Sequence, residues 1–184
     1  MGRKAGRSPE ETRRLILDAA FRVVLRKGIQ GSLDDVAAEA GLSRGAVVYH
    51  FSSKKVLWVE VAREALTAFR EQVVTAAEQG EAPGRLARAL IAACLDDEAL
   101  AMTGERLQLL SALAPVDGVG ELASADAAAW RRDLAADGLR RGAIDVVLTS
   151  LDGAGITAVW GGDEVLDQLD LPALREELEK LTLR

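Results

Sequence analysis

Apolar positions fall three and four residues apart over most of the chain, and no stretch sustains the strict alternation of a half-buried strand. Ile16, Ala19, Ala20, Val23 and Val24 make one such stripe. Val59, Ala62, Leu66, Phe69 and Val73 make another, and Leu174, Leu178 and Leu181 a third. The polar punctuation between stripes sets the boundaries. Ser8-Pro9-Glu10-Glu11 pairs an N-cap serine with proline at the first helical position and a capping-box acid, and Gly28 ends the helix. A second short helix starts at Ser32 and ends at Gly41; a third runs from Arg44 to about Phe51, with Ser43 as its cap. Ser53 opens a fourth, expected to reach about Gly80, a rod of about 39 Å at 1.5 Å rise per residue. Further helices are expected from Pro83-Gly84 through Cys94, from Leu100 to Leu113, from Ala123 to Leu139 and from Ile144 to Trp160. Gly161-Gly162 breaks the last of these, and Pro172 opens a final helix to Leu183. The fold class is all-α.

The stretch Ser32–Phe51, SLDDVAAEAGLSRGAVVYHF, carries the most chemistry. Asp35 stands three residues after Ser32, as a short relative of the capping-box acid. Leu33, Val36, Ala37 and Ala40 give the helix one face to bury, Gly41 supplies the left-handed turn residue, and Leu42 plugs the turn. Two short helices joined by such a turn form a helix-turn-helix, the geometry that lays the second helix in a DNA major groove.

Composition sharpens this picture. The net charge is −6, which by itself disfavours nucleic acid. Its distribution does not: residues 1–55 hold 11 Lys/Arg against 6 Asp/Glu, and residues 56–184 hold 12 against 23. A basic end on an acidic body suits a protein that meets phosphates with one face. The single cysteine excludes a disulfide within the chain, and the single histidine excludes His-based metal clusters. Asp96-Asp97 and Glu176-Glu177 sit where solvated helix faces are expected, and there is no phosphate-cradling glycine loop or nucleophile elbow. No enzyme, cofactor or metal is implied. No apolar run reaches the length of a membrane helix and the N-terminus lacks a signal-peptide core, so a cytoplasmic location is expected.

With these residues in view, positions of about 9–55 resemble the DNA-binding domain of the TetR-type (tetracycline-repressor-like) transcriptional regulators. The matching features are Arg14, Ile16, Ala19, Ala20 and Phe21 in the entry helix, then Gly28, Ser32 and Val36-Ala37. They continue through Ala40-Gly41-Leu42-Ser43, Gly45, His50-Phe51 and Lys54. One departure is visible: the family's usual aromatic falls at Val48, and Tyr49 occupies the next, more variable place. The resemblance implies a DNA-binding head at 1–55, with its motif at about 32–51, and a helical regulatory and dimerisation body at 56–184. It implies a homodimer on a near-palindromic double-stranded operator, acting as a repressor that a small-molecule effector releases. Its last two helices would pair with those of a second copy, with Gly153, Gly155, Leu174, Leu178 and Leu181 at the interface.

Individual roles follow from side-chain chemistry and from that resemblance. Arg44 can bond a guanine edge bidentately or touch phosphate alone, and Gly45 and Ala46 are small enough for close approach to bases. Ser32 and Ser43 can bond phosphate while capping; Tyr49 and His50 lie where the helix passes the backbone. Val48 is expected in the core. Lys54 and Lys55 share a positive helix N-terminus that attracts phosphate, and Arg3, Lys4 and Arg7 form a basic arm able to enter a minor groove. In the body, Phe69, Met102, Leu109 and Trp130 can line an apolar pocket, with Arg106 or Gln108 as polar anchors; taken singly, the apolar members read more simply as core and Arg106 as solvated. Cys94 reads as a small buried hydrophobe. Two rival functions are a constitutive DNA-binding protein and a helical interaction module without ligand switching.

Overall fold

The computed structural model describes residues 7–78, 82–160, 165 and 168–183. Among them are nine α-helices and no strand: α1 Pro9–Lys27, α2 Leu33–Ala40, α3 Arg44–His50, α4 Lys54–Ala77, α5 Arg85–Leu95, α6 Asp97–Leu113, α7 Val119–Ala136, α8 Arg141–Trp160 and α9 Leu171–Lys180. A 3-10 turn at Gly28–Gln30 separates α1 from α2. The expected breaks at Gly80 and Gly161-Gly162, and the arm residues Arg3 and Lys4, lie outside the described residues.

The chain divides into two compact units. One runs up to Glu64 and takes in Leu109–Gly120; the other holds Ala65–Gln108 and everything from Glu121 on. Helices α4, α6 and α7 therefore each contribute to both, whereas a linear division after residue 55 leaves α6 and α7 whole in one domain.

In the first unit the expected stripe of α1 is buried whole, with Ile16, Ala19 and Ala20 fully covered. Both halves of the Ser8–Glu11 capping box form: the Ser8 hydroxyl accepts from the Glu11 N–H at 3.1 Å and the Glu11 carboxylate from the Ser8 N–H at 2.7 Å. Phe51 is buried at the exit of α3 under the Arg13 guanidinium, 4.8 Å from the ring centroid, and Arg13 also reaches Glu60 on α4 at 2.7 Å.

The second unit is built around Val73, Leu90, Ile91, Leu134, Val147 and Leu151, contributed by the four helices α4, α5, α7 and α8. The start of α5 is capped from far along the chain. The Asp137 carboxylate, just beyond α7, accepts from the Leu86 and Ala87 N–H groups at 2.8 and 3.3 Å. Helix α7 begins four residues before the expected Ala123, at Val119, a residue of the first unit that is buried at 2% exposure.

Four of the five residues expected at an interface with a second copy also make contacts within the chain. Leu178 is 2% exposed, and Leu174 and Leu181 pack beside it against the second unit's own core. Gly155 is buried where α8 meets α6: a Cβ there would lie 2.4 Å from Leu107 Cδ1 and 3.1 Å from Thr103 Cγ2. The glycine permits a contact between two helices of one chain. Gly153, by contrast, is exposed with no neighbour within 4 Å of such a Cβ.

Candidate functional site

Helices α2 and α3 are set by caps that the sequence encodes locally. The Ser32 hydroxyl accepts from the Asp35 N–H at 3.1 Å, while the Asp35 carboxylate accepts from the Ser32 N–H at 2.9 Å and hydroxyl at 2.8 Å. Gly41 then adopts φ 65, ψ 34, the left-handed conformation that a Cβ disfavours. Its N–H and that of Leu42 turn back onto the Ala38 and Ala37 carbonyls at 3.2 and 2.9 Å. The Ser43 hydroxyl caps α3 by accepting from the Ala46 N–H at 3.2 Å.

These caps fix which side of α3 faces solvent. Val47 is fully buried and anchors the helix. Ser43, Arg44, Gly45, Val48 and Tyr49 are exposed, Ala46 and His50 half-buried. The expectation that Val48 belongs to the core is therefore corrected: it is 41% exposed, because Val47 already occupies the inward position of that turn. Tyr49 is 83% exposed, with its ring edge-on to His50 at 5.2 Å.

The basic groups of the head are held by neighbours that spacing did not reveal. The Arg44 guanidinium lies 2.8 Å from Asp34 on α2, with both side chains more than 60% exposed. Such exposed pairs contribute about 0–1 kcal/mol, so a phosphate or base edge can compete for the arginine. The Lys54 ammonium donates to the Ile29 carbonyl at 2.9 Å, and Lys55 pairs with Asp117 at 3.0 Å. Arg7 is exposed just ahead of α1.

In the second unit, three of the six expected pocket residues come together. The Arg106 guanidinium lies 3.4 Å from the Phe69 ring centroid, and Phe69 lies 6.0 Å from Trp130. The other three do not join them. Met102 is 63% exposed, Gln108 is exposed, and Leu109 is buried in the first unit. Arg70, which the sequence reading passed over, completes the cluster. Its guanidinium covers the Trp130 ring at 4.2 Å and pairs with Asp126 at 3.3 Å and with Asp133. Burial lowers the Arg106 pKa from its ordinary value, against the opposing influence of Cys94, Asp126 and Asp152. Burial likewise raises the Cys94 thiol, keeping it in the unreactive protonated form. Nearby, a groove of about 360 Å³ is lined by Val74, Ala77, Leu86 and Ala136 among charged residues that include Asp133 and Asp137. Asp133 is committed to Arg70, and Asp137 to the cap of α5. No group of three or more His, Cys, Asp or Glu able to hold a metal occurs among the described residues.

The exposed side of α8 carries a pattern that the sequence reading missed. Gly142, Val146, Thr149, Gly153, Ile156 and Trp160 are all exposed, and their spacing alternates four and three. Val146, Ile156 and Trp160 are 49%, 52% and 81% exposed. Apolar residues on both sides make α8 the one described helix long and apolar enough to cross a membrane, by length and composition alone.

A helix-turn-helix head followed by an all-helical body defines a class of DNA-reading regulators. Residues 16–61 match the family model for bacterial regulatory proteins of the tetR family, and residues 84–183 match the tetracyclin repressor-like C-terminal domain. The chain belongs to the TetR family of DNA-binding transcriptional regulators, whose members are not enzymes. It is 46% identical over 55 residues to the HTH-type transcriptional regulator SrpR of Pseudomonas putida, covering 29% of this chain and 26% of that one. It is 40% identical over 62 residues to AcrR of Shigella flexneri, covering 33% of this chain and 29% of that one. The matched stretch thus spans less than a third of either relative. Two solved structures are similar over nearly the whole chain. The multidrug binding protein EbrR complexed with malachite green has a TM-score of 0.71 at 28% identity, over 94% of this chain and 98% of that one. The TetR-family member SCO1917 from Streptomyces coelicolor A3 has a TM-score of 0.69 at 28% identity, over 95% and 99%.

Proposed function

We propose that the protein is a dimeric transcriptional repressor whose head reads a near-palindromic operator and whose body binds a small-molecule effector that releases it. The observation that carries the DNA-reading part is the capped α2–turn–α3 unit, which buries Val47 and leaves Arg44, Gly45 and Tyr49 open to solvent. In this reading Arg44 contacts a base edge, and Gly45 and Ala46 let the helix approach. Ser32, Ser43, Tyr49, His50, Lys54 and Lys55 hold phosphates, with Arg7 approaching the adjacent groove. Residues 1–55 act as the head and 56–184 as the body, in the cytoplasm. Support for a switch comes from the aromatic and charged cluster of the second unit and from the likeness to EbrR, a multidrug binding protein. Dimerisation is supported by the apolar stripe of α8, with Gly153 the one expected interface residue that lies on it.

Affinity capture of sheared genomic DNA from the source organism, followed by sequencing, tests this reading. A few near-palindromic fragments with half-sites about 34 Å apart or a multiple are expected. Their retention should fall steeply with salt, as counterion release requires, and should be lost in Arg44→Ala. Unselective retention, or selection unchanged in Arg44→Ala, would overturn it.

A further inference from the structure

Two guanidinium groups in the second unit keep donors that no carboxylate of the described residues meets. Arg106 on α6 is half-buried with its guanidinium over the Phe69 ring, and Cys94, Asp126 and Asp152 act on it electrostatically. Among the described residues no carboxylate comes within ion-pair distance of it. Arg70 on α4 gives Nε to Asp126 and Nη1 to Asp133, but its Nη2 is buried with no hydrogen-bond partner. Both guanidiniums rest on the same aromatic pair, Phe69 and Trp130, whose centroids are 6.0 Å apart.

Buried charge without an acceptor is unfavourable, and whatever supplies the acceptor gains the interaction. A cationic ligand would have to displace the guanidiniums from ring faces they already cover, and would leave their donors unmet. A neutral apolar ligand would also leave them unmet. An anionic oxygen group supplies what is missing, and charge-assisted bonds to arginine are the stronger kind. The nearby carboxylates Asp126 and Asp133 are already committed to Arg70, and Cys94 offers a neutral thiol in place of a counter-ion.

We propose that the effector is an organic acid. Its carboxylate or equivalent anionic oxygen accepts from Arg106 and from Nη2 of Arg70, beside the Phe69–Trp130 pair that the two guanidiniums cover. This assignment rests on the reading of the body as an effector-binding domain.

Calorimetric titration of the full-length protein with matched probes tests it: 2-naphthoic acid, its neutral carboxamide and the cationic 2-naphthylmethylamine, with decanoic acid, decanamide and decylamine as a second series. In at least one series the acid should bind ten-fold or more tighter than the amide, with the amine weakest. Arg106→Gln should bring acid affinity down to that of the amide while leaving amide binding unchanged. Arg106→Lys, which keeps the charge but loses the planar fork, should fall between, and it serves if the glutamine variant fails to fold. An amine that binds tighter than its acid, an acid affinity unchanged in both Arg106 variants, or no acid binding at all would overturn the assignment. Release of operator DNA is read separately. An acid that binds through Arg106 without releasing DNA upholds the assignment and removes the switch. Release by a ligand indifferent to Arg106 does the reverse.

Discussion

Asp35 takes part in two structures at once. Its carboxylate closes the capping box of α2 and also accepts from the Lys27 ammonium at the end of α1, at 2.7 Å. The lysine bond, followed by the Ser32 hydroxyl and N–H, lowers its pKa to about 2. An unfolded aspartate titrates near 3.9. The folded state therefore favours the charged form, and the stability this contributes is present above about pH 4 and lost as pH falls from there through about 2. Asp35→Asn should lower the melting temperature at pH 7, and the gap to wild type should narrow steadily when both are melted toward pH 3. An equal gap at pH 7 and pH 3, followed by circular dichroism, would show that the charge is not what matters. Half of this arrangement is legible in the sequence, since Ser32 and Asp35 stand at capping-box spacing. The other half is not. Lys27 is eight residues away on a different helix, and only the packing of α1 on α2 brings it near, as it brings Asp34 to Arg44 across the turn.

At the scale of the element, α8 shows why two glycines two residues apart cannot be read alike from a string of letters. Both weaken the helix by about 1 kcal/mol relative to alanine. Their surroundings differ completely. A methyl at Gly155 would meet Leu107 and the buried Thr103, whereas one at Gly153 would meet nothing in the chain. Overpacking of this kind costs about 1–3 kcal/mol. The Leu107 terminus can rotate away, but Thr103 is β-branched and enclosed, so the clash should outweigh the gain in helix propensity. Gly155→Ala should lose about 1 kcal/mol, a fall of about 2–4 °C in melting temperature at fixed protein concentration. A rise in melting temperature would mean that α6 yields at this crossing. The helices themselves were readable because their stripes and caps are local. The cap of α5 was not, since Asp137 reaches it from across the fold. Nor was the early start of α7 at Val119, which is buried in the first unit.

For the whole molecule, the proposed dimer requires a surface able to join two copies. A resemblance to a family points to the last two helices, and of these the leucines of α9 are already engaged in part with the chain's own core. What α8 offers is its outer stripe, Gly142, Val146, Thr149, Gly153, Ile156 and Trp160, with the alternating four- and three-residue steps of a helix–helix seam and small residues where backbones can approach closely. Exposed apolar residues in a row on one helix mark an interaction surface rather than ordinary solvent-facing decoration. Ile156 stands between Gly153 and Trp160 on that stripe and is half exposed, so its replacement should disturb association before it disturbs folding. Ile156→Asp should sediment as a monomer at micromolar concentration with an unchanged helical circular dichroism spectrum. Each head would then bind its half-site alone. Operator affinity should fall by 10²-fold or more as the effective concentration of the second head is lost. The slope of affinity against salt should drop to about half, because one head neutralises half the phosphates. A variant that remains dimeric would place the interface elsewhere. A monomer that still binds the full operator at wild-type affinity and slope would show that reading DNA does not require the pair.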